Sequence, residues 1–263
     1  MAVDRQQLAA MIAAVNIPLP SIHIFETLAS TNETLWNLAE KGFESGTVVI
    51  ATQQTAGRGQ WGRQWSSLRG GLYLSVAIAP NLPVQNSYQL TLCSAWGIAT
   101  ALRDRGIPVG IKWPNDLILC GRKLGGILTE TKIQQGRITK AVVGVGINWA
   151  NSVPTSGINL QSYQANHQGV TVNSLEMLAV VTLSGIVSGN QRLQAIDTLL
   201  PDYQKLLINM GHAVCVDGRS GIIVGITSSG ELRVRLCSMI DPNLLTAPEI
   251  CLKPGTISLG YSS

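Results

Sequence analysis

The sequence predicts an α+β fold: a mixed central β-sheet with helices on one face, followed by a small C-terminal β-barrel. Three observations predict it. Between residues 21 and 211, β-rich runs bounded by glycine or proline alternate with stretches of helical apolar spacing. From His212 onward, short alternating strands are joined by glycine turns without a helical segment. Finally, 45% hydrophobic against 13% charged residues over 263 positions supplies a sizeable core and argues against disorder.

Residues 1–20 read as a short helix closed by the breakers Pro18 and Pro20. LAAMIAAV follows Asp4 and Arg5, which suits an amphipathic helix better than a signal peptide with its basic start and small-residue cleavage site. Residues 21–211 form the main domain. Ser30-Thr31-Asn32-Glu33 precedes a helical stretch, with Ser30 and Glu33 spaced as a capping box. TVVIAT (47–52), LYLSVAIA (72–79), GIKWPNDLIL (110–119), GGILTETK (125–132) and AVVGVGINW (141–149) read as strands. SYQLTLCSAWGIATALRDRG (87–106) is helical with a closing glycine, and 174–208 is helical with breaks near Gly189 and Pro201. Over 212–263, AVCVDG, GIIVGITSSGELRVRL and ICLKPGTISL make a small barrel or meander that needs the larger domain for support. The most apolar run, MLAVVTLSGIVSG, is too short and too polar to span a bilayer.

Several function classes drop out. The formal net charge of +4, without any block of like charges, suits small anionic substrates and does not demand nucleic acid. The five cysteines are scattered and never form C-x-x-C; with three separated histidines they offer no zinc site and read as reduced thiols of a cytoplasmic protein. A serine-hydrolase G-x-S-x-G elbow is missing.

The chemistry concentrates in two stretches. ATQQTAGRGQWGRQW (51–65) places Gly57, Gly59 and Gly62 in G-x-G-x-x-G spacing, but a strand follows instead of a helix and no G-K-[ST] ending is present. The guanidinium forks of Arg58 and Arg63 match carboxylate and phosphate oxygens; the same composition also suits a mobile surface loop with solvated arginines. KWPNDLILCGRKLGGIL (112–128) sets Asn115 and Asp116 at a strand mouth after the bend at Pro114, with Lys112, Arg122 and Lys123 close by. Gly125 and Gly126 beside Lys123 let a ligand approach the backbone, a good arrangement for an anion over a sheet. Asp116 fits three roles: a magnesium ligand, an orienter of a lysine, or a plain turn cap. The hydroxyls of Ser30 and Thr31 serve either a helix cap or the polar ring of a ligand.

Together S-T-N-x-T (30–34), Q-T-A-G-R-G-x-x-G-R (54–63), K-W-P-N-D (112–116), R-K-L-G-G-I-L-T-E (122–130) and V-G-x-G-I-N (143–148) stand in the order and spacing of biotin–protein ligases. The resemblance covers nearly all of residues 21–263. It implies a catalytic domain like that of class II aminoacyl-tRNA synthetases and an SH3-like C-terminal domain over 212–263. The activity it implies is the joining of biotin and ATP into biotinyl-5′-AMP, then transfer of biotin to a lysine of a biotin carboxyl carrier protein. ATP would come with Mg2+, and no metal site of the protein's own is expected. Arg58, Lys123 and Asp116 match catalytic positions. Ser30, Thr31, Asn32, Gln54, Arg58, Gly59, Gln60, Lys123, Gly125 and Gly126 match the biotin side. Gly57, Arg58, Gly59, Arg63, Trp65, Lys112, Asn115 and Asn148 match the adenylate side, with Trp65 placed to stack on adenine.

The partner implied is the carrier subunit of acetyl-CoA carboxylase, with no nucleic acid or membrane, in a cytoplasmic monomer or homodimer. About twenty residues before the main domain cannot hold a winged helix-turn-helix, so the chain resembles the monofunctional form rather than a ligase-repressor. It departs from the family at Gln60, where a second arginine is common. Two rival readings are a lipoate or octanoate ligase of the same fold and a non-catalytic biotin sensor. The polar Ser-Thr-Asn and Gln cluster speaks against the first, and retention of both Arg58 and Lys123 against the second.

Overall fold

The computed structural model describes residues 3–15, 17, 21–237, 248–257 and 259–260. Helix α1 (Arg5–Ala14) starts at Asp4, whose carboxylate accepts from the amides of Gln6 and Gln7. The expected breakers Pro18 and Pro20 lie outside the described residues.

The main sheet is mixed. Its order is β1 (Ile22–Leu28), β2 (Val48–Gln54), β3 (Leu72–Ile78), β8 (Arg137–Ile147), β7 (Arg122–Gln134), β6 (Asp116–Leu119), β5 (Gly110–Lys112), with β4 (Leu82–Pro83) also paired to β8. Only β1 and β2 run parallel; the other neighbours are antiparallel. All five predicted strand regions are present. The run 110–119 is a hairpin of two short strands around the cis Trp113–Pro114 bond, which brings Lys112 opposite Asp116. Strand β1 was not among the predicted runs, although IHIFETL alternates; half-exposed residues and Glu26 at an edge dilute its apolar signal.

Alternation along the central strands separates two faces. Leu72, Leu74 and Val76 of β3 and Val143, Val145 and Ile147 of β8 join the large core beneath α3 (Tyr88–Arg103), α5 (Leu175–Gln191) and α6 (Ile196–Leu206). Helix α1 packs on α5 at the same face. Each fully buried Leu or Ile there contributes about 1.5–3 kcal/mol. Helices α3 and α5 approach almost backbone to backbone, because a β-carbon at Gly97 would lie 2.0 Å from Gly185 O and one at Gly189 2.0 Å from Cys93 O. Gly189 is therefore a packing residue inside α5, not a break. The break falls instead in a 3-10 turn (Leu193–Ala195). Pro201 lies within α6, where burial of Leu199 and Tyr203 offsets the one backbone bond it forfeits.

On the opposite face, the short α2 (Thr31–Glu40) packs Leu35 against Val49, Ala77 and Val142. It covers only part of the sheet, and the rest is where the site opens. The α4 helix (Leu160–Gln164) follows β8.

The C-terminal region is a four-stranded antiparallel sheet, β9 (Ala213–Val216), β10 (Arg219–Ile226), β11 (Leu232–Leu236) and β12 (Glu249–Leu252), in the order β12-β11-β10-β9. Ile223, Leu232 and Val234 join the main core. Gln89 Nε2 donates to Ser228 O and Trp113 Nε1 to Gly230 O, each at 2.9 Å. The second bond ties this sheet to the turn that carries Asn115 and Asp116. No helix among the described residues is long and apolar enough to cross a membrane.

Candidate active site

The open half of the sheet forms the floor of a cavity of about 470 Å³. One wall is the start of α2. Ser30 occupies the N-cap position but its hydroxyl makes no cap bond, so the capping-box reading does not hold. Ser30, Thr31 and Asn32 are instead buried beside the cavity. Gln54 Oε1 accepts from Thr31 N at 2.8 Å and from Thr31 Oγ1 at 3.2 Å, while its Nε2 donates to Ser67 Oγ at 2.7 Å. Ser75 Oγ lies 2.6 Å from Asn32 Oδ1 and 2.8 Å from Thr31 Oγ1. Asn32 Nδ2 donates to Glu130 Oε2 at 2.9 Å. This wall is a set of amides and hydroxyls whose orientations are fixed by one another, which favours recognition of a polar ring over an acyl chain.

The second wall is the glycine-rich loop, folded as a tight hairpin in which Gly59 N donates to Arg63 O at 2.7 Å and Trp65 N to Gly57 O at 3.0 Å. Trp61 takes a left-handed backbone conformation (φ 54°) at the tip. It stands over Gly255 of the C-terminal region, where a β-carbon would come within 2.6 Å of Trp61 Nε1. Arg58 Nη2 meets Glu130 Oε2 at 3.1 Å, and the Arg63 guanidinium lies 5.8 Å from the Trp61 ring centre. The Arg58–Glu130 pair ties the loop to β7; being only partly buried, it is worth about 0–1 kcal/mol. Gln60 Oε1 is buried and lacks a hydrogen-bond partner.

The third wall is the β5–β6–β7 ribbon. Lys123 Nζ forms a 2.6 Å pair with Asp116 Oδ1 and stands 5.1 Å from the Trp65 ring centre. Asn115 Nδ2 donates to Ile127 O at 2.9 Å, locking the turn onto β7. Lys112 is buried nearby, and its pKa lies below that of an ordinary lysine. Burial is the chief cause, helped by repulsion from Lys123 and Arg63 and opposed by Asp116. Four charged groups thus converge on one end of the cavity.

Most sequence-predicted residues line this cavity. Three stand behind its wall. Gly57 makes room for Ser67 Oγ, which would lie 2.3 Å from a β-carbon there. Gly125 abuts Gly146 O at 2.6 Å by the same measure, so its place is strand packing and Gly126 alone faces the cavity. Asn148 reaches Lys123 O at 3.4 Å and accepts from Asn151 Nδ2 at 2.9 Å, supporting the lysine from behind. Sequence reasoning missed Ser75, Glu130, Gly144, Gly146, Trp61 and the C-terminal Ile257 and Leu259. Ser75 carried a signal, a polar residue within an otherwise apolar strand. The C-terminal pair carried none, since only folding brings it to the mouth.

A model of the biotin/lipoate A/B protein ligase family matches residues 24–148. The biotin–[acetyl-CoA-carboxylase] ligase of Mycobacterium tuberculosis is 33% identical over 248 residues, covering 89% of each chain. This chain belongs to the biotin–protein ligase family. The bifunctional ligase/repressor BirA of Bacillus subtilis is 40% identical over 125 residues, 47% of this chain and 38% of that protein, so the chain spans well under two thirds of that relative. The biotin protein ligase of Aquifex aeolicus, solved in complex with biotin and ATP, shares the fold with TM-score 0.73 at 24% identity, covering 93% of this chain and all of that one.

The donor set does not fit a resident metal ion. Asp116, the carboxylate in the cavity lining, is engaged with Lys123, Glu130 beside it is engaged with Arg58, and no group of three His, Cys, Asp or Glu forms a metal cluster among the described residues.

Proposed function

We propose that this ligase-family chain activates biotin with ATP and transfers it to one lysine of a biotin carboxyl carrier protein, the acetyl-CoA carboxylase subunit being the expected partner. The reading rests chiefly on one arrangement: Arg58 and Lys123 face a single cavity whose other wall is the Ser30, Thr31, Asn32 and Gln54 cluster. The polar wall suits the ureido ring of biotin, which needs both donors and acceptors.

The chemistry then follows from charge. A biotin carboxylate oxygen must attack the α-phosphorus of ATP, forming an acyl–O–P bond and releasing pyrophosphate. Two anions repel each other, and the fixed charges of Arg58 and Lys123 relieve that repulsion and stabilise the developing negative charge. Asp116 holds the Lys123 ammonium in place. In the second step a carrier lysine amine attacks the acyl carbon; the C–O bond breaks, AMP leaves, and the amine gives up a proton. Lys123 remains on the carbonyl and phosphate oxygens. Arg63, Trp65, Lys112 and Asn115 serve the adenylate side, with Asn148 acting through Lys123. Closure of the loop at residues 57–65 keeps water from the mixed anhydride. We assign this work to residues 21–211 in the cytoplasm, supported by the sheet over 212–263.

One assay tests the reading. The protein is incubated with ATP, Mg2+ and either biotin or lipoate plus an apo carrier domain, and the carrier is weighed by mass spectrometry. Addition of one biotinyl group is expected. A lipoyl addition favours the acyl-ligase alternative, and biotin binding without any addition favours a sensor.

A further inference from the structure

Glu130 sits on β7 with its side chain about three-quarters buried at the cavity rim, at 28% exposure. A single oxygen, Oε2, accepts both from Asn32 Nδ2 at 2.9 Å and from Arg58 Nη2 at 3.1 Å. Those donors come from opposite walls, α2 and the glycine-rich loop. The remaining groups of Asn32 are also engaged: its Nδ2 lies 3.3 Å from Leu128 O, and its Oδ1 faces Ser75 Oγ at 2.6 Å. Asn32 is therefore held in one amide orientation, and Glu130 is the charged acceptor that selects it. Arg58 is 44% exposed, and Glu130 is the ion-pair partner that holds it at the wall.

We infer that Glu130 is a positioning residue, linking the polar wall to the loop by orienting Asn32 and holding Arg58 at the cavity rim. The inference deepens the proposed function and rests on it where turnover is measured. The two contacts differ in what they require. Asn32 needs only an acceptor, which a glutamine oxygen also supplies. Arg58 needs a charge, which glutamine lacks. Two substitutions therefore separate the two roles, and no merely structural role predicts that separation.

The experiment measures the KM for biotin and the dissociation rate of biotinyl-AMP for wild type, Glu130→Ala and Glu130→Gln. Tryptic cleavage after Arg58 in the ligand-free proteins is followed in parallel. Glu130→Ala is expected to raise the biotin KM by about tenfold, the loss of a hydrogen bond to a charged group, and the adenylate dissociation rate by about two- to fivefold, the worth of the partly exposed ion pair. Glu130→Gln is expected to restore most of the KM but not the dissociation rate. Both variants should be cut after Arg58 about two- to fivefold faster than wild type, because the arginine has lost its charge-assisted anchor. Should Glu130→Ala fail to fold, Glu130→Gln alone decides through dissociation and cleavage. Wild-type values in every readout would overturn the assignment, as would equal KM effects of the two substitutions. Absence of biotinyl-AMP with wild type would instead defeat the proposed function, and the cleavage rates would still decide whether Glu130 holds Arg58.

Discussion

The amide of Asn32 fills the space that a side chain at position 144 would need: a β-carbon on Gly144 would lie 2.1 Å from Asn32 Oδ1 and 2.9 Å from its Cγ. Position 144 pairs with Ser75 across the β3–β8 ladder, and Ser75 Oγ faces the same Asn32 oxygen. The sheet floor is hollowed at this point to seat a polar side chain from α2. Gly144→Ala is expected to displace Asn32 and raise the KM for biotin about tenfold or more, as expected when a buried hydrogen-bonded group loses its partners. Steady-state kinetics at saturating ATP check this, with thermal melting confirming that the variant folds. A biotin KM within twofold of wild type would show that Asn32 has another productive seat.

Lys123→Ala should abolish biotinyl-AMP formation, lowering it at least ~100-fold, while the protein stays folded. The lysine pairs with Asp116 at 2.6 Å at the cavity's charged end. Pyrophosphate release in the presence of biotin and ATP is the measurement. Normal release would remove the lysine from the activation step.

Gln60, the uncharged position between the loop's two arginines, has its Oε1 buried without a partner. Arg58 and Arg63 are the loop's remaining cations within the cavity lining. We therefore expect Gln60→Arg to slow release of free biotinyl-AMP, about three- to tenfold for one added charge-assisted contact. Comparison of adenylate off-rates decides it, and equal rates eliminate the idea.

Lys112 has a pKa below the ordinary lysine value of 10.5, chiefly through burial. The folded chain therefore binds less of a proton at this site than the unfolded chain, so this residue's contribution to stability rises as pH increases toward 10.5 and falls as pH drops through the folded pKa. Lys112→Met removes that dependence. Denaturant unfolding of both proteins across the alkaline range should show a wild-type deficit that shrinks with rising pH relative to the variant. Parallel curves would contradict the depressed pKa.

Much of this site was legible before folding because its chemistry is local. GRGQWGR and KWPNDLILCGRKLGG each gather cations, glycines and amides within a dozen or so residues, a composition that suits anion binding wherever the chain brings the two together. The central strands of the main sheet were equally readable from apolar runs closed by glycine and proline, whereas the half-exposed edge strand β1 was not. What remained hidden depends on distance. Glu130 reaches Asn32 across 98 sequence positions and Arg58 across 72, so neither contact leaves a local mark. Gly125 and Gly126 look alike in sequence, yet alternation turns one into the sheet and the other toward the cavity. Pro201 and Gly189 looked like helix breaks; burial of Tyr203 and the close crossing of α3 and α5 overrode those local preferences. The sequence by itself thus determined which groups are available and on which kind of element they ride. Tertiary packing decided which of them share a cavity and which stand behind its wall, because strand register and helix contacts are settled by surfaces far apart along the chain.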